Sequence, residues 1–398
     1  MLSDADKTKC TGCGACSNAC PKRCIKMLPD EKGFLYPFVD RSLCIKCGLC
    51  EKVCPALNAK AFNGLKIAYA SYCLEDNARL VGSSGGLFGV LARETIRRGG
   101  IVIGASWNED CKGVRHVAAN DESELKALYS SKYLQSDAGE SYKAVRSALE
   151  EGRYVLFSGT SCQVNALKLF LGKDYQNLLT IDVICHGVPS PKVWSDYVSQ
   201  KEAEYGANVV HAAFRNKRFG WQRSVLLLLL SDGREYCRLQ SEDEYVRGFL
   251  ANLYLRPSCY ECKCKGEHVS SDITLGDFWG IERLMPGLNV DKGVSAVILN
   301  TDKGRSFFDG IKDKLFCGEV SYQDVVLGNP SLVRPCAKPK KSDLFWKFYK
   351  SKGLDVALKR SLKVSFVSRC KRFSYKAIRK VGRPIKRFIM KLKRKERK

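Results

Sequence analysis

Two cysteine runs of one spacing stand between residues 10 and 55, and they dictate what that stretch can become. "CTGCGACSNACP" supplies Cys10, Cys13, Cys16 and Cys20 ahead of Pro21, and "CIKCGLCEKVCP" supplies Cys44, Cys47, Cys50 and Cys54 ahead of Pro55. Both read C-x2-C-x2-C-x3-C-P. Three thiolates at this spacing wrap one corner of a cubane from a tight loop, while the fourth leads into a short helix and ligates the other cluster. Gly12, Gly14 and Gly48 relieve crowding where backbone approaches inorganic sulfide. The crossover gives one [4Fe-4S] cluster Cys10, Cys13, Cys16 and Cys54, and the second Cys44, Cys47, Cys50 and Cys20. A zinc site draws on C-x2-C pairs, not on triplets trailed by x3-C-P. Cys24 is surplus and is expected to be a buried structural thiol.

Residues 1–62 thus resemble a bacterial two-cluster ferredoxin module. The whole chain holds 20 cysteines in 398 residues, a density that suggests disulfides in a secreted protein and metal in a reducing compartment. Its first residues, "MLSDADKTKC", contain no apolar signal core, and the longest apolar run, "VLLLLL" at 225–230, is too short to span a bilayer. The expectation is a cytoplasmic protein. The net charge of +25 is uneven: residues 338–398 carry 24 Lys/Arg against three acids, leaving a net of only +4 on the rest. A nucleic-acid enzyme would carry its basic patch on the folded surface, so no nucleic-acid partner is expected.

From about residue 63 the pattern alternates. "LKIAYASYC", "IVIGASW", "RYVLFSG" and "LLTIDVIC" read as strands. "SSGGLFGVLARETIRRGG", with Ser84 as N-cap, reads as a helix, as do "DESELKALY", "SYKAVRSALEEG", "TSCQVNALKLFLG" and "SPKVWSDYVSQKEAEYG". Such alternation predicts a mixed, largely parallel α/β body. "HAAFRNK", "SVLLLLLSDGREYCRL" with a turn at Asp232-Gly233, and "VSAVILN" add further strands. The expected boundaries are 63–150 and 151–335 for the two parts of the body, and 336–398 for a basic tail. Ligands gather at the carboxyl ends of strands in such sheets. "GSSGGLF" (82–88), "SGTSCQ" (158–163, with Gly159 and Thr160) and "CHGVPSP" (185–191) occupy such places. No G-x-G-x-x-G or G-x-x-x-x-G-K-[ST] occurs.

A second set of thiols follows. Cys162 and Cys185 each lie just past a predicted strand, and Cys259 and Cys262 form a C-x2-C after Pro257. If the two strands are neighbours, these four meet at one sheet edge, where either zinc or a cluster could be held. Cys264 is a possible replacement ligand. Cys73, Cys111, Cys237, Cys317, Cys336 and Cys370 are read as isolated core or surface thiols.

"SSGGLF", "SSKYLQS", "LFSGTSCQVNAL", "DVICHGVPSP" and "CYECKCKG…SDITLGDFWG" together resemble the coenzyme F420 hydrogenase/dehydrogenase beta-subunit family, over roughly residues 5–335. The resemblance implies an iron–sulfur flavoprotein oxidoreductase. Its body would hold FAD and a third [4Fe-4S] cluster on Cys162, Cys185, Cys259 and Cys262. It implies a flavin-contacting loop at Ser84, Gly85 and Gly86, and further contacts from Ser131, Lys132, Tyr133, Gly276 and Asp277. Two positions depart from the family pattern: Ser161, where proline is usual, and Cys264, where an aromatic is frequent. His186, Lys132 and Asp277 are alternatives for proton handling, and no catalytic residue is singled out. His186 is expected only to hydrogen-bond or pack beside the cluster. The partner would be a redox protein or a small-molecule acceptor such as the deazaflavin coenzyme. Bacterial relatives of this type also imply a link to surface-polysaccharide biosynthesis.

Two other classes remain from the residues alone: a ferredoxin-like electron-transfer adaptor without its own substrate, and a zinc-containing nucleic-acid protein. The tail interleaves Phe373, Tyr375, Ile378, Val381, Ile385, Phe388, Ile389 and Leu392 with Lys/Arg, and Pro384 should divide it. It reads either as a basic amphipathic helix for an anionic membrane surface or as a solvated extension.

Overall fold

The computed structural model describes residues 6–363. The basic segment from 364 onward, with Cys370 and the apolar positions noted above, lies outside the described residues. The chain divides into two compact units, Met1–Asp343 and Leu344–Lys398. The first therefore contains both the cysteine-rich module and the α/β body.

The module opens on the helix Ala15–Ala19 and a hairpin of β1 (Ile25–Pro29) and β2 (Leu35–Val39), and continues to the helix Leu49–Lys52. Gly14 and Gly48 stand in the left-handed region (φ +77° and +73°) immediately before the two helices. This is the turn that a cysteine triplet needs to fold back on itself, and it is nearly closed to other residues.

In the body the strands are β3 (Ile67–Cys73), β4 (Ile101–Trp107), β5 (Val114–Ala119), β6 (Ser136–Asp137), β7 (Val155–Thr160), β8 (Leu178–Val183), β9 (Val209–Asn216), β10 (Val225–Leu230), β11 (Glu235–Leu239), β12 (Ile273–Asp277), β13 (Ser295–Leu299) and β14 (Leu315–Val320). A mixed sheet runs β14-β3-β13-β12-β8-β7-β4-β5-β6, and a smaller antiparallel one runs β11-β10-β9. Parallel pairing holds β12, β8, β7 and β4 together at the centre, while β14, β3 and β13 form an antiparallel wing. Those central strands are joined by segments long enough to cross over with a helix, as parallel neighbours require.

Apolar residues from both faces of this sheet build the core: Leu87, Leu91, Val102, Leu156 and Ile181 on one side, Tyr142, Val145, Phe157, Val164 and Leu167 on the other. Two predicted helices differ in detail. The helix expected from Ser84 starts at Leu87 with Gly86 (φ +82°) in front of it, because Ser84 Oγ donates instead to Val294 O at 2.8 Å. "DESELKALY" makes only a 3-10 turn, Glu124–Leu128. The helix Lys340–Leu362 bends at Gly353 (φ 77°, ψ 178°). Among the described residues no helix is long and apolar enough to cross a membrane.

Candidate electron-transfer site

The two cysteine loops of the module face different surroundings. In the first, Cys13 and Cys16 are buried, and Tyr142 Oη donates to Cys13 O at 2.8 Å. Burial pushes both thiols up to about 12. For Cys16 the neighbouring thiols that add to burial include Cys10 and Cys54, which with Cys16 itself are three of the four expected ligands of cluster one. Cys20, Cys44, Cys50 and Cys54 pack around the small buried group formed by Cys16, Cys24, Ile25 and Val39. Cys24 is buried, as expected, but its sulfur stands 3.3 Å from Cys20 Sγ, and its thiol is pushed up to about 12, first by that hydrogen bond. It therefore touches a predicted ligand instead of sitting apart.

Arg256 locks this loop to the body. Fully buried, it donates to Cys10 O at 2.8 Å, Leu35 O at 2.8 Å and Gln135 Oε1 at 2.9 Å. A Cβ on Gly12 would meet its Nη1 at 2.5 Å. No sequence motif marks Arg256; its only local signal is its place just before the Pro257-led cysteine hook.

The later thiols converge. β7 and β8 pair in parallel with Thr160 opposite Val183, so Cys162 and Cys185 leave the same sheet edge. Burial pushes the Cys162 thiol far up, and nearby Cys262, Cys185 and Cys13 add to it. Cys259 behaves alike, with Cys185, Cys162 and Cys262 as its neighbours. Cys262 is instead held down at about 6 by a hydrogen bond from the Cys264 thiol, with further help from Lys265. Cys264 is buried within reach of Cys162, Cys262 and Cys13. Cys336, read from sequence as an isolated thiol, lies here too: its sulfur is 3.9 Å from Cys259 O and close to Cys185 and Cys262. A 77-residue gap from Cys259 hides that convergence from any spacing rule. Desolvation makes the Cys162, Cys185 and Cys259 thiols resist ionisation until positive charge compensates them, which iron would supply, while Cys262 gives up its proton readily; cysteines gathered in this way are donors of the kind a cluster takes.

Next to these thiols a cavity of about 760 Å3 opens at the carboxyl ends of β7, β8 and β12. Ser84, Gly86, Gly159, Thr160 and Cys162 line it. So do Ser131, Lys132, Tyr133, Gly276 and Asp277. Gly85 is outside that lining: its N–H donates to Ser295 Oγ at 2.9 Å, and a Cβ there would meet Ser71 O at 2.4 Å. It is a packing glycine behind the loop.

Lys132 points its ammonium at the carbonyls of Tyr129 (3.0 Å) and Ser130 (3.3 Å), and burial alone pushes it down to about 7. Among the described residues no carboxylate pairs with it, so the cavity wall favours an anionic ligand. Ser130 beside it holds φ +68°, a strained value for serine. Asp277 is already engaged, accepting from Arg215 at 3.0 Å and from Trp221 Nε1 at 2.7 Å. His186, also in the cavity lining, has Nε2 hydrogen-bonded to Asn252 Oδ1 at 2.6 Å and packs edge-on against Phe249.

Three further residues shape the site without any sequence pattern. Lys217 donates to the carbonyls of Arg79 and Lys292 at 2.7 Å and to that of Ser84, pinning the Ser84 loop. His116, pushed down to about 4 by burial, sits between Ser136 Oγ (2.7 Å) and Ser158 O (3.0 Å); Nε2 must donate to that carbonyl, so the ring is neutral with Nδ1 accepting. Asp182, its carboxyl raised by burial, accepts from Thr274 at 2.6 Å, Ser271 at 2.7 Å and Ser161. The hydroxyl that departs from the family's proline thus satisfies a buried acid.

Comparisons with known proteins agree with the sequence pattern. Residues 9–58 match the 4Fe-4S dicluster domain, and residues 152–324 match the family described as the C terminus of the coenzyme F420 hydrogenase/dehydrogenase beta subunit. No curated protein matches the chain. Among solved structures, a chain of the F420-reducing [NiFe] hydrogenase complex from Methanosarcina barkeri aligns with 75% of this chain and 92% of its own length. The identity is 16% and the TM-score 0.46, too loose a likeness to carry an argument. The chain thus joins a 4Fe-4S dicluster domain at residues 9–58 to a domain of the coenzyme F420 hydrogenase/dehydrogenase beta-subunit family at residues 152–324, and is an iron–sulfur electron-transfer protein related to that subunit.

Proposed function

We propose that the protein is an iron–sulfur flavoprotein oxidoreductase that passes electrons between its ferredoxin-type clusters and an FAD through a third [4Fe-4S] cluster. The observation that carries this reading is the neighbourhood of Cys13, Cys264 and Cys162: the buried half of the dicluster module meets the later thiols at the wall of the cavity. Cys162, Cys185, Cys259 and Cys262 would hold the third cluster, with Cys264 and Cys336 beside them.

Bound in the cavity, FAD would supply the conversion between single electrons and a two-electron reaction with substrate. The chain's own residues have simpler tasks. Ser84 and Gly86 offer a close backbone approach, and Lys217 keeps that loop in place. Lys132 offers an uncompensated cation to a flavin or phosphate oxygen. Asp277, held by Arg215 and Trp221, fixes the far wall. A small-molecule or deazaflavin acceptor, or an intermediate of surface-polysaccharide synthesis, would be the substrate.

Anaerobic purification with iron, sulfide and flavin quantified tests this. Three cubanes' worth of iron and one flavin per chain are expected. Iron and sulfide without flavin would replace the reading by a plain electron-transfer adaptor; zinc without sulfide would end it.

A further inference from the structure

The second cysteine loop is exposed almost throughout, from Arg41 to Leu49, and Cys47 itself is exposed. Three large apolar side chains stand around it: Leu43 is 55% exposed, Ile45 57% and Leu49 39%. Large apolar groups gathered at one exposed place mark an interaction surface more often than scattered single ones do. The surrounding charge is mainly positive. Lys22 and Arg23 are exposed in the turn after Cys20, whose neighbour Cys24 is close to Cys44. Lys26 lies near Asp40, and Lys46 and Lys52 are exposed in the loop and on the helix that follows it. Against these five cations stand Asp40, which already accepts from Ser42 N at 3.0 Å and from its hydroxyl, and the half-buried Glu51.

We infer that this face docks an acidic one-electron carrier protein, with Leu43, Ile45 and Leu49 as the dry centre and the lysines as a steering rim. The inference rests on the redox function proposed above and adds the entry point and partner chemistry. The pairing suits a short-lived complex: a small apolar contact lets the carrier leave, while the basic rim raises the encounter rate. An exposed Cys47 puts the outer cluster's sulfur at the contact, where electron exchange needs no opening of the fold.

The test is stopped-flow reduction of the anaerobically loaded full chain by a reduced acidic plant-type ferredoxin, beside reduction by dithionite. With the carrier, the second-order rate should fall about tenfold or more between low and high salt. It should fall by a similar factor in I45D and in K22E/K26E at low salt, as lost steering predicts. Dithionite should reduce wild type and variants within about twofold of one another, since no docking is involved. K22E/K26E lies outside the ligand triplet and carries the test if I45D loads iron poorly. Equal carrier rates in wild type and variants, with dithionite reduction intact, would overturn the docking face alone. Salt-independent self-association broken by I45D would assign the face to a second copy. A wild type that dithionite cannot reduce would overturn the redox reading and the docking face together.

Discussion

The two cysteine loops share one spacing yet differ in what a single added carbon would meet. At Gly12 (φ +66°) a Cβ would run into Arg256 Nη1 at 2.5 Å and Gln135 Nε2 at 2.7 Å; the equivalent place in the second run is Lys46 (φ +56°), which carries a whole exposed side chain, and around nearby Gly48 nothing lies within 4 Å. The first loop is a buried joint with the body, and the second is a free rim. A duplicated motif therefore gains a direction from its surroundings: one end faces the later thiols, the other faces solvent.

The most severe way to break this asymmetry is Arg256→Met. It leaves the carbonyls of Cys10 and Leu35 without their buried donor, and should cost about 3 kcal/mol or more in anaerobic urea unfolding. Glu substitution of exposed Lys46 should leave unfolding unchanged within about 0.5 kcal/mol. Equal costs at the two places would refute the joint.

Acid should separate body from module. The only histidines are at 116, 186, 211 and 268, all in the body. His116 stays neutral in the fold down to about pH 4, whereas the unfolded ring takes a proton near 6.5. Its contribution is present above 6.5, falls as pH drops from 6.5 to 4, and is lost below that; the span is about 3 kcal/mol. In His116→Gln, the fall in stability over that window should be shallower by a comparable amount in pH-dependent unfolding curves.

A paired glycine test is milder. Gly12→Ala should cost about 2 kcal/mol more than Gly48→Ala, because both strain a left-handed residue but only the first also overpacks. Iron occupancy after reconstitution should fall in the same order. Smallest is Ser161→Ala, which removes one of three donors to buried Asp182 and should cost about 1 kcal/mol, with Thr274 and Ser271 still in place.

Much of the site was legible because its code is local. The C-x2-C-x2-C-x3-C-P runs, the glycines before the module's helices and the strand ends carrying Cys162 and Cys185 all depend on neighbours a few residues away. The fold class followed from alternation, although periodicity could not separate the parallel centre from the antiparallel wing. Ser84 misled as a helix cap because a distant carbonyl, that of Val294, took its hydroxyl. Cys336 and Lys217 could not be found: their partners are set by chain crossings, and no spacing rule encodes those.

By itself, the sequence determined that thiols would come in cluster-binding triplets and that strands would alternate with helices, since backbone reach and side-chain period act over a few residues. Only the tertiary structure decided which triplet is buried, that six later thiols gather beside one cavity, and that Arg256 fastens module to body. Those outcomes depend on strand order and on the desolvation of groups far apart in the chain, and both exist only once the sheet has formed.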